Sequence, residues 1–134
     1  MNTGSRRGSR WLVVFWLYAL LLFTGTHWPK LRIEGPIPRP DLYIHFAAFG
    51  LWAFCFGMCG FFEPKVSRFS MRNYVMTFFA GLVYAAFDEG LQAIPALGRT
   101  CAWDDYAANA GGILIGTLVL AAGGRFLACR NTAA

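Results

Sequence analysis

The stretch Leu42–Phe62, LYIHFAAFGLWAFCFGMCGFF, decides the fold. Its 21 residues include no Asp, Glu, Lys or Arg, and a helix needs about 20 mostly apolar residues to cross the hydrocarbon core of a bilayer. The apolar run is continuous, without the alternation of a barrel strand. Three more uncharged windows flank it: Trp11–Pro29 with 19 residues, Asn73–Phe87 with 15 and Tyr106–Gly124 with 19. The 15-residue window is short, but apolar character resumes after Asp88-Glu89 at Leu91, Ala93 and Ile94. Pro95, Ala96, Leu97 and Gly98 then supply a stop. The sequence therefore predicts an all-α protein, a four-transmembrane-helix bundle with spans near 11–27, 42–62, 73–94 and 104–124, making one domain over 1–134.

Composition agrees. Hydrophobic residues make up 57% of the chain and charged ones 14%, against about 25% charged in a typical soluble domain. Disorder requires low hydrophobicity and high charge. A small soluble domain would have to bury all these Phe, Trp and Leu side chains, and small chains bury the smallest fraction of their surface. The first window also resembles a signal peptide, flanked by Arg6, Arg7 and Arg10. It lacks a small-residue cleavage site and is followed by further spans, so it reads as a retained helix.

The flanking basic residues set the expected orientation. Arg6, Arg7, Arg10, Lys65, Arg68, Arg72, Arg125 and Arg130 fall on one side, eight in all, against four (Lys30, Arg32, Arg39 and Arg99) on the other. Both termini are expected in the cytoplasm. The basic residues are spread over several loops, which argues against nucleic acid as a partner and for the lipid bilayer. Trp11, Trp16, Trp28, Trp103, Tyr43, Tyr74 and Tyr106 flank the spans as an interfacial aromatic belt.

With that topology the unusual polar residues gather on the outer side. Asp41 and His45 open the second helix, Asp88, Glu89 and Gln92 close the third, and Asp104, Asp105 and Asn109 open the fourth; Arg99 lies between the last two. The pairs Asp41/His45, Asp88/Gln92 and Asp105/Asn109 are each four residues apart, so each shares one helical face, about 6 Å along the axis. Charges inside a span are costly, so these groups should face one another or a wet cavity. A purely structural reading is that Arg99 pairs with Asp88 or Glu89 while the N-terminal acids suit the helix dipole.

The segments Asp41-Leu-Tyr-Ile-His45-Phe46, Asp88-Glu89-Gly-Leu-Gln92, Arg99 and Asp105-Tyr-Ala-Ala-Asn109-Ala-Gly-Gly112-Ile-Leu-Ile-Gly116 resemble the VanZ-like family of small membrane proteins. That family's pattern runs roughly D-K-x-x-H-F, D-E-x-x-Q, P-x-R, then D-x-x-x-N-x-x-G-x-x-x-G. Leu42 stands where the family usually has Lys, and Ala102 where it often has Ser; the stretch from Asp88 to Arg99 is one residue longer than usual. Those departures count against any role for that lysine, or for a serine nucleophile. The resemblance implies a cell-envelope protein of the bacterial cytoplasmic membrane, in a family named for a teicoplanin-resistance protein.

Gly112 and Gly116, extended backwards by Ala108, form a small-residue stripe that lets two helix backbones approach closely. Its expected use is internal packing that places Asp105 and Asn109 against the second and third helices, with Ala80, Gly81 and Ala85-Ala86 as a receiving surface on the third; a homodimer is the alternative. Cys55 and Cys59 match no zinc spacing and read as small packing residues. Cys101 and Cys129 are expected on opposite sides of the membrane.

Three functions follow. The outer pocket binds the head group of a lipid-linked envelope precursor or phospholipid, with Arg99 on a phosphate and Gln92 and Asn109 on hydroxyls. Alternatively it is a membrane hydrolase or transferase, with Asp41, His45, Asp88, Glu89 and Asp105 as an acid–base set or a divalent cation site. Or the protein is a non-catalytic structural or assembly partner. A transporter fits less well, because transporter sites lie near the midplane.

Overall fold

A computed structural model of the chain describes residues 3–28, 38–62, 68–94 and 103–132. Among these, four helices follow one another: α1 (Thr3–Thr26), α2 (Pro40–Cys59), α3 (Met71–Gln92) and α4 (Trp103–Thr132). Most of the proline-rich segment, Lys65 and Cys101 lie outside the described residues.

The helix boundaries follow local chemistry. Pro40 supplies a fixed φ at the start of α2, preceded by Arg39 in a left-handed conformation. Gly60, with φ 67°, ends α2 three residues before the expected boundary at Phe62, and its N–H reaches the Gly57 carbonyl. The Ser70 hydroxyl caps α3 by accepting from the Asn73 N–H at 3.1 Å. Two ends overrun the apolar windows. α1 begins at Thr3 and α4 continues to Thr132, because helical hydrogen bonding does not stop where charge begins. Gly123-Gly124 weakens the helix without ending it, and Arg130 in the last turn suits the negative end of the dipole.

The helices run up-down-up-down. The last turn of α1 meets the last turn of α3, where Thr26 bonds Asp88. The first turns of α2 and α4 meet at the same end, where His45 bonds Asn109. Trp11 near the start of α1 touches Cys59 at the end of α2.

α2 and α4 share the most extensive interface, and glycine makes it. A Cβ on Gly112 would collide with the Phe46 carbonyl oxygen, and one on Gly116 with that of Gly50; a Cβ on Gly50 would sit 3.0 Å from the Gly112 oxygen. The small-residue stripe is therefore received by α2, one of the two helices expected to meet it, and not by the alanine and glycine surface expected on the third. On α3, Gly81 accommodates the Ile113 side chain instead. Spacing alone identifies a stripe; Gly50 offers it the flattest counterface. Ala108, half-buried, lies on the same flank and lines a shallow groove with Tyr43 and Phe46 of α2.

The apolar core is aromatic: Trp52 stacks on Phe56 and Tyr84, both at 4.9 Å between ring centroids, and Phe15 meets Trp52 edge-on at 5.6 Å. The rest of the molecule inverts the soluble pattern. Leu17, Leu20 and Leu21 of α1, Phe79, Val83 and Phe87 of α3, and Leu118 and Val119 of α4 are exposed, while Asn73, Thr77, Asp88, Gln92 and Asn109 are almost wholly buried. Such a surface suits hydrocarbon rather than water.

Two helical stretches, Pro40–Cys59 and Trp103–Arg130, are long and apolar enough to cross a membrane by themselves; Arg10–Thr26 is apolar but shorter. α3 falls short of the expected independent span because Asn73, Thr77, Asp88, Glu89 and Gln92 dilute its hydropathy, and all five turn inward.

Candidate functional site

The polar residues at the end where α1 and α3 finish and α2 and α4 begin form two adjoining networks. Consecutive residues on α3 divide them. Asp88, fully buried, faces α1: Thr26 Oγ1 donates to its Oδ1 at 2.9 Å, and Gln92 Nε2 donates to its Oδ2 at 2.8 Å. His27 Nδ1 lies 3.7 Å from the same carboxylate, donates to the Phe23 carbonyl at 2.9 Å, and its ring stacks on Phe23. Both Asp88 oxygens thus accept from neutral groups, which suits a buried carboxylate.

Glu89, turned about 100° from Asp88 by one helical step, faces α2 and α4. Asn109 Nδ2 donates to Glu89 Oε1 at 3.1 Å, and the Asn109 oxygen lies 3.0 Å from His45 Nδ1. The carboxylate fixes which way the amide points, since the flipped form would turn oxygen against oxygen. His45 Nδ1 must then carry the proton that Asn109 accepts. Asp105 is one turn before Asn109 and is 8% exposed. Its Oδ1 has no hydrogen-bond partner among the described residues. A ring nitrogen of His45, an oxygen of Glu89 and an oxygen of Asp105 lie within 4.8 Å of one another.

Not all the expected site residues enter these networks. Asp41, half-exposed, and Asp104, exposed, are bridged by Arg39, whose guanidinium lies 4.0 Å from Asp41 and 2.6 Å from Asp104. That hydrogen bond to Asp104 raises the Arg39 pKa above the ordinary arginine value. Gln92 and Asn109, expected on ligand hydroxyls, are 1% and 0% exposed and spend their amide protons on Asp88 and Glu89. Arg99 lies outside the described residues. Thr26 and His27 were missed by the sequence reading, although they are the polar residues that close α1 at the depth where the other helices carry theirs.

A cavity of about 330 Å³ opens beside the networks, between α1 and α2. Leu21, Leu22, Ile44, Ala48 and Phe49 make its apolar wall; Thr26, Asp41 and His45 contribute polar groups. Tyr18, also in the wall, donates its hydroxyl to the Ala48 carbonyl at 2.8 Å and so spans the two helices at its base.

An apolar-surfaced helical bundle with an internal cluster of carboxylates, amides and histidine defines the class: a membrane protein built around a polar end-site. A family model described as VanZ/LLP1 matches residues 11–124, and the chain belongs to that family. No curated protein and no solved structure matches the chain.

Proposed function

We propose that the protein binds the head-group end of an envelope lipid, phospholipid or lipid-linked precursor, in the cavity between α1 and α2. In this reading both termini are cytoplasmic, the cavity faces the outer side of the cytoplasmic membrane, and the role is of the teicoplanin-resistance kind suggested by the family's name. The observation that carries it is the cavity's division into an apolar wall and the polar groups Thr26, Asp41 and His45. An acyl chain would lie along Leu21, Ile44 and Phe49, and hydroxyls or a phosphate would meet the polar groups. Ligand sites commonly combine a mostly apolar lining with a few placed polar groups. Arg99, by its place in the sequence, is the countercharge assigned to a phosphate.

Gly25 makes the test clean. It lines the cavity, and a Cβ there would meet nothing within 4 Å. Gly25→Leu should fill the space without straining the fold, because replacing a helical glycine is favourable by up to about 1 kcal/mol. Gly90 is equally unobstructed but exposed on α3 away from the cavity, so Gly90→Leu is the control. In nanodiscs containing a photoactivatable phospholipid, the wild type and Gly90→Leu should crosslink and Gly25→Leu should not. Equal crosslinking by all three would sink the lipid reading.

A structural reading keeps one observation in its favour. Asp88 has both oxygens satisfied within the bundle, so that carboxylate serves to hold α1 against α3 and needs no ligand.

A further inference from the structure

We infer that His45, Glu89 and Asp105 form a site for one divalent cation of the first transition row, of the zinc or manganese type. Three helices supply the donors: α2 gives an imidazole, α3 and α4 a carboxylate each. All three are buried, and their ligand atoms already lie within 4.8 Å of one another. A tetrahedral ion with bonds of about 2.0–2.2 Å would bring ligand atoms to roughly 3.3 Å, a closure of about 1.5 Å or less. Torsions of the two carboxylate side chains can supply that.

Asp105 is the second, independent observation. The residue is more than nine-tenths buried, Oδ1 has no hydrogen-bond partner among the described residues, and an Asp105 oxygen lies within 4.8 Å of the other two donors. A buried carboxylate oxygen without a donor is costly, and two carboxylates held close together repel. A doubly charged ion answers both, bringing two carboxylates and a neutral imidazole to zero net charge.

Asn109 completes the arrangement in the manner of an outer support. It accepts the Nδ1 proton of His45 and donates to Glu89, so one amide orients two of the three donors and leaves Nε2 as the nitrogen open to an ion. The imidazole favours a transition ion over magnesium or calcium, which prefer all-oxygen shells. Three protein donors also leave a coordination position open. His45 belongs both to the trio and to the cavity wall, so an anionic oxygen of a lipid head group is the fourth ligand that position suits. That last step rests on the lipid reading; the cation itself does not.

Full-length protein, purified in detergent and stripped with chelator, should take up one equivalent of zinc or manganese by equilibrium dialysis, with magnesium at least 100-fold weaker. Cobalt substitution should give visible d–d bands without a thiolate charge-transfer band. Asp105→Asn should weaken zinc binding at least tenfold with its helicity and thermal melt retained, since the substitution is isosteric and Oδ1 has no hydrogen-bond partner among the described residues to lose. The idea is overturned if the wild type takes up no stoichiometric metal, if a thiolate band shows that cysteines hold it, or if Asp105→Asn and Glu89→Gln bind as the wild type does. Gly25→Leu should bind metal normally. Metal uptake without lipid crosslinking defeats the lipid reading alone, whereas crosslinking without uptake defeats the cation alone.

Discussion

The two ends of α3 bury polar side chains to similar depth but use them differently. At the start of the helix, Asn73 is fully buried and donates to two backbone carbonyls, those of Gly57 at 2.9 Å and Arg68 at 2.7 Å. At its finish, Asp88, Glu89 and Gln92 bond to other side chains: Thr26, Asn109 and Asp88 itself. A carbonyl of the main chain fixes a position and has no further chemistry, so the Asn73 end is a clasp between α2 and α3. Side chains that carry protons, charge and lone pairs can exchange partners with a ligand. Buried oxygens without a donor among the described residues occur at both ends, but at the Asn73 end they are the neutral Asn73 Oδ1 and Thr77 Oγ1, whereas the other end adds an ionisable carboxyl group, Asp105 of α4, to the neutral Gln92 Oε1. Burial of polar groups alone does not mark a site; the nature of their partners does.

That contrast can be broken by substitution. The largest effect should come from Asn109→Leu, which removes the donor to a buried carboxylate and the acceptor of His45. A loss of about 3 kcal/mol is expected from stranding charged and polar groups together, read as a large drop in the thermal midpoint and in metal uptake. Asn73→Leu should cost less, about 1–2 kcal/mol for two neutral hydrogen bonds in a membrane bundle, and should leave metal and lipid binding unchanged. If Asn73→Leu abolished either, the clasp and the site would not be separate. Thr26→Val deletes one bond to Asp88 and should cost about 0.6–1.7 kcal/mol, visible as a modest shift of the melt. Arg39→Ala should change stability imperceptibly, because its ion pairs with Asp104 and Asp41 are exposed.

The same comparison explains which features could be read from the sequence. Four helices were legible because uncharged windows are a one-dimensional property. The pairs Asp88/Gln92 and Asp105/Asn109 were legible too, since four-residue spacing dictates a shared face. Which pair meets which is a matter of helix rotation, and spacing is silent on that. Hence Gln92 was expected on a ligand and bonds Asp88 instead, and Asp41, which lines the cavity together with His45, stays outside the hydrogen-bond networks. Asn73 went unread because an isolated amide at the start of a span looks like any interfacial residue. Its acceptors are main-chain atoms, which leave no mark in a sequence. Thr26 and His27 were passed over as the boundary of the first window, yet their position at the depth of His45 and Asp88 was available as a signal. The counterface of Gly112 and Gly116 depended on Gly50, a lone glycine in an otherwise bulky helix.

The backbone contact of Gly50 with Gly112 and Gly116 has a mechanical consequence. Peptide groups in van der Waals contact are far stiffer than interdigitated side chains, so the gap between α2 and α4, which sets the separation of His45 from Asp105, is gauged by the main chain itself. Among the described residues, α1 is held at this end by side chains alone: the Thr26 hydroxyl on Asp88, His27 beside the same carboxylate, and the Tyr18 hydroxyl on the Ala48 carbonyl. Bilayers of different thickness should therefore tilt α1 and change the width of the cavity while the trio keeps its spacing. Chain length of the surrounding lipid would then tune what the protein admits, without altering the groups that receive it.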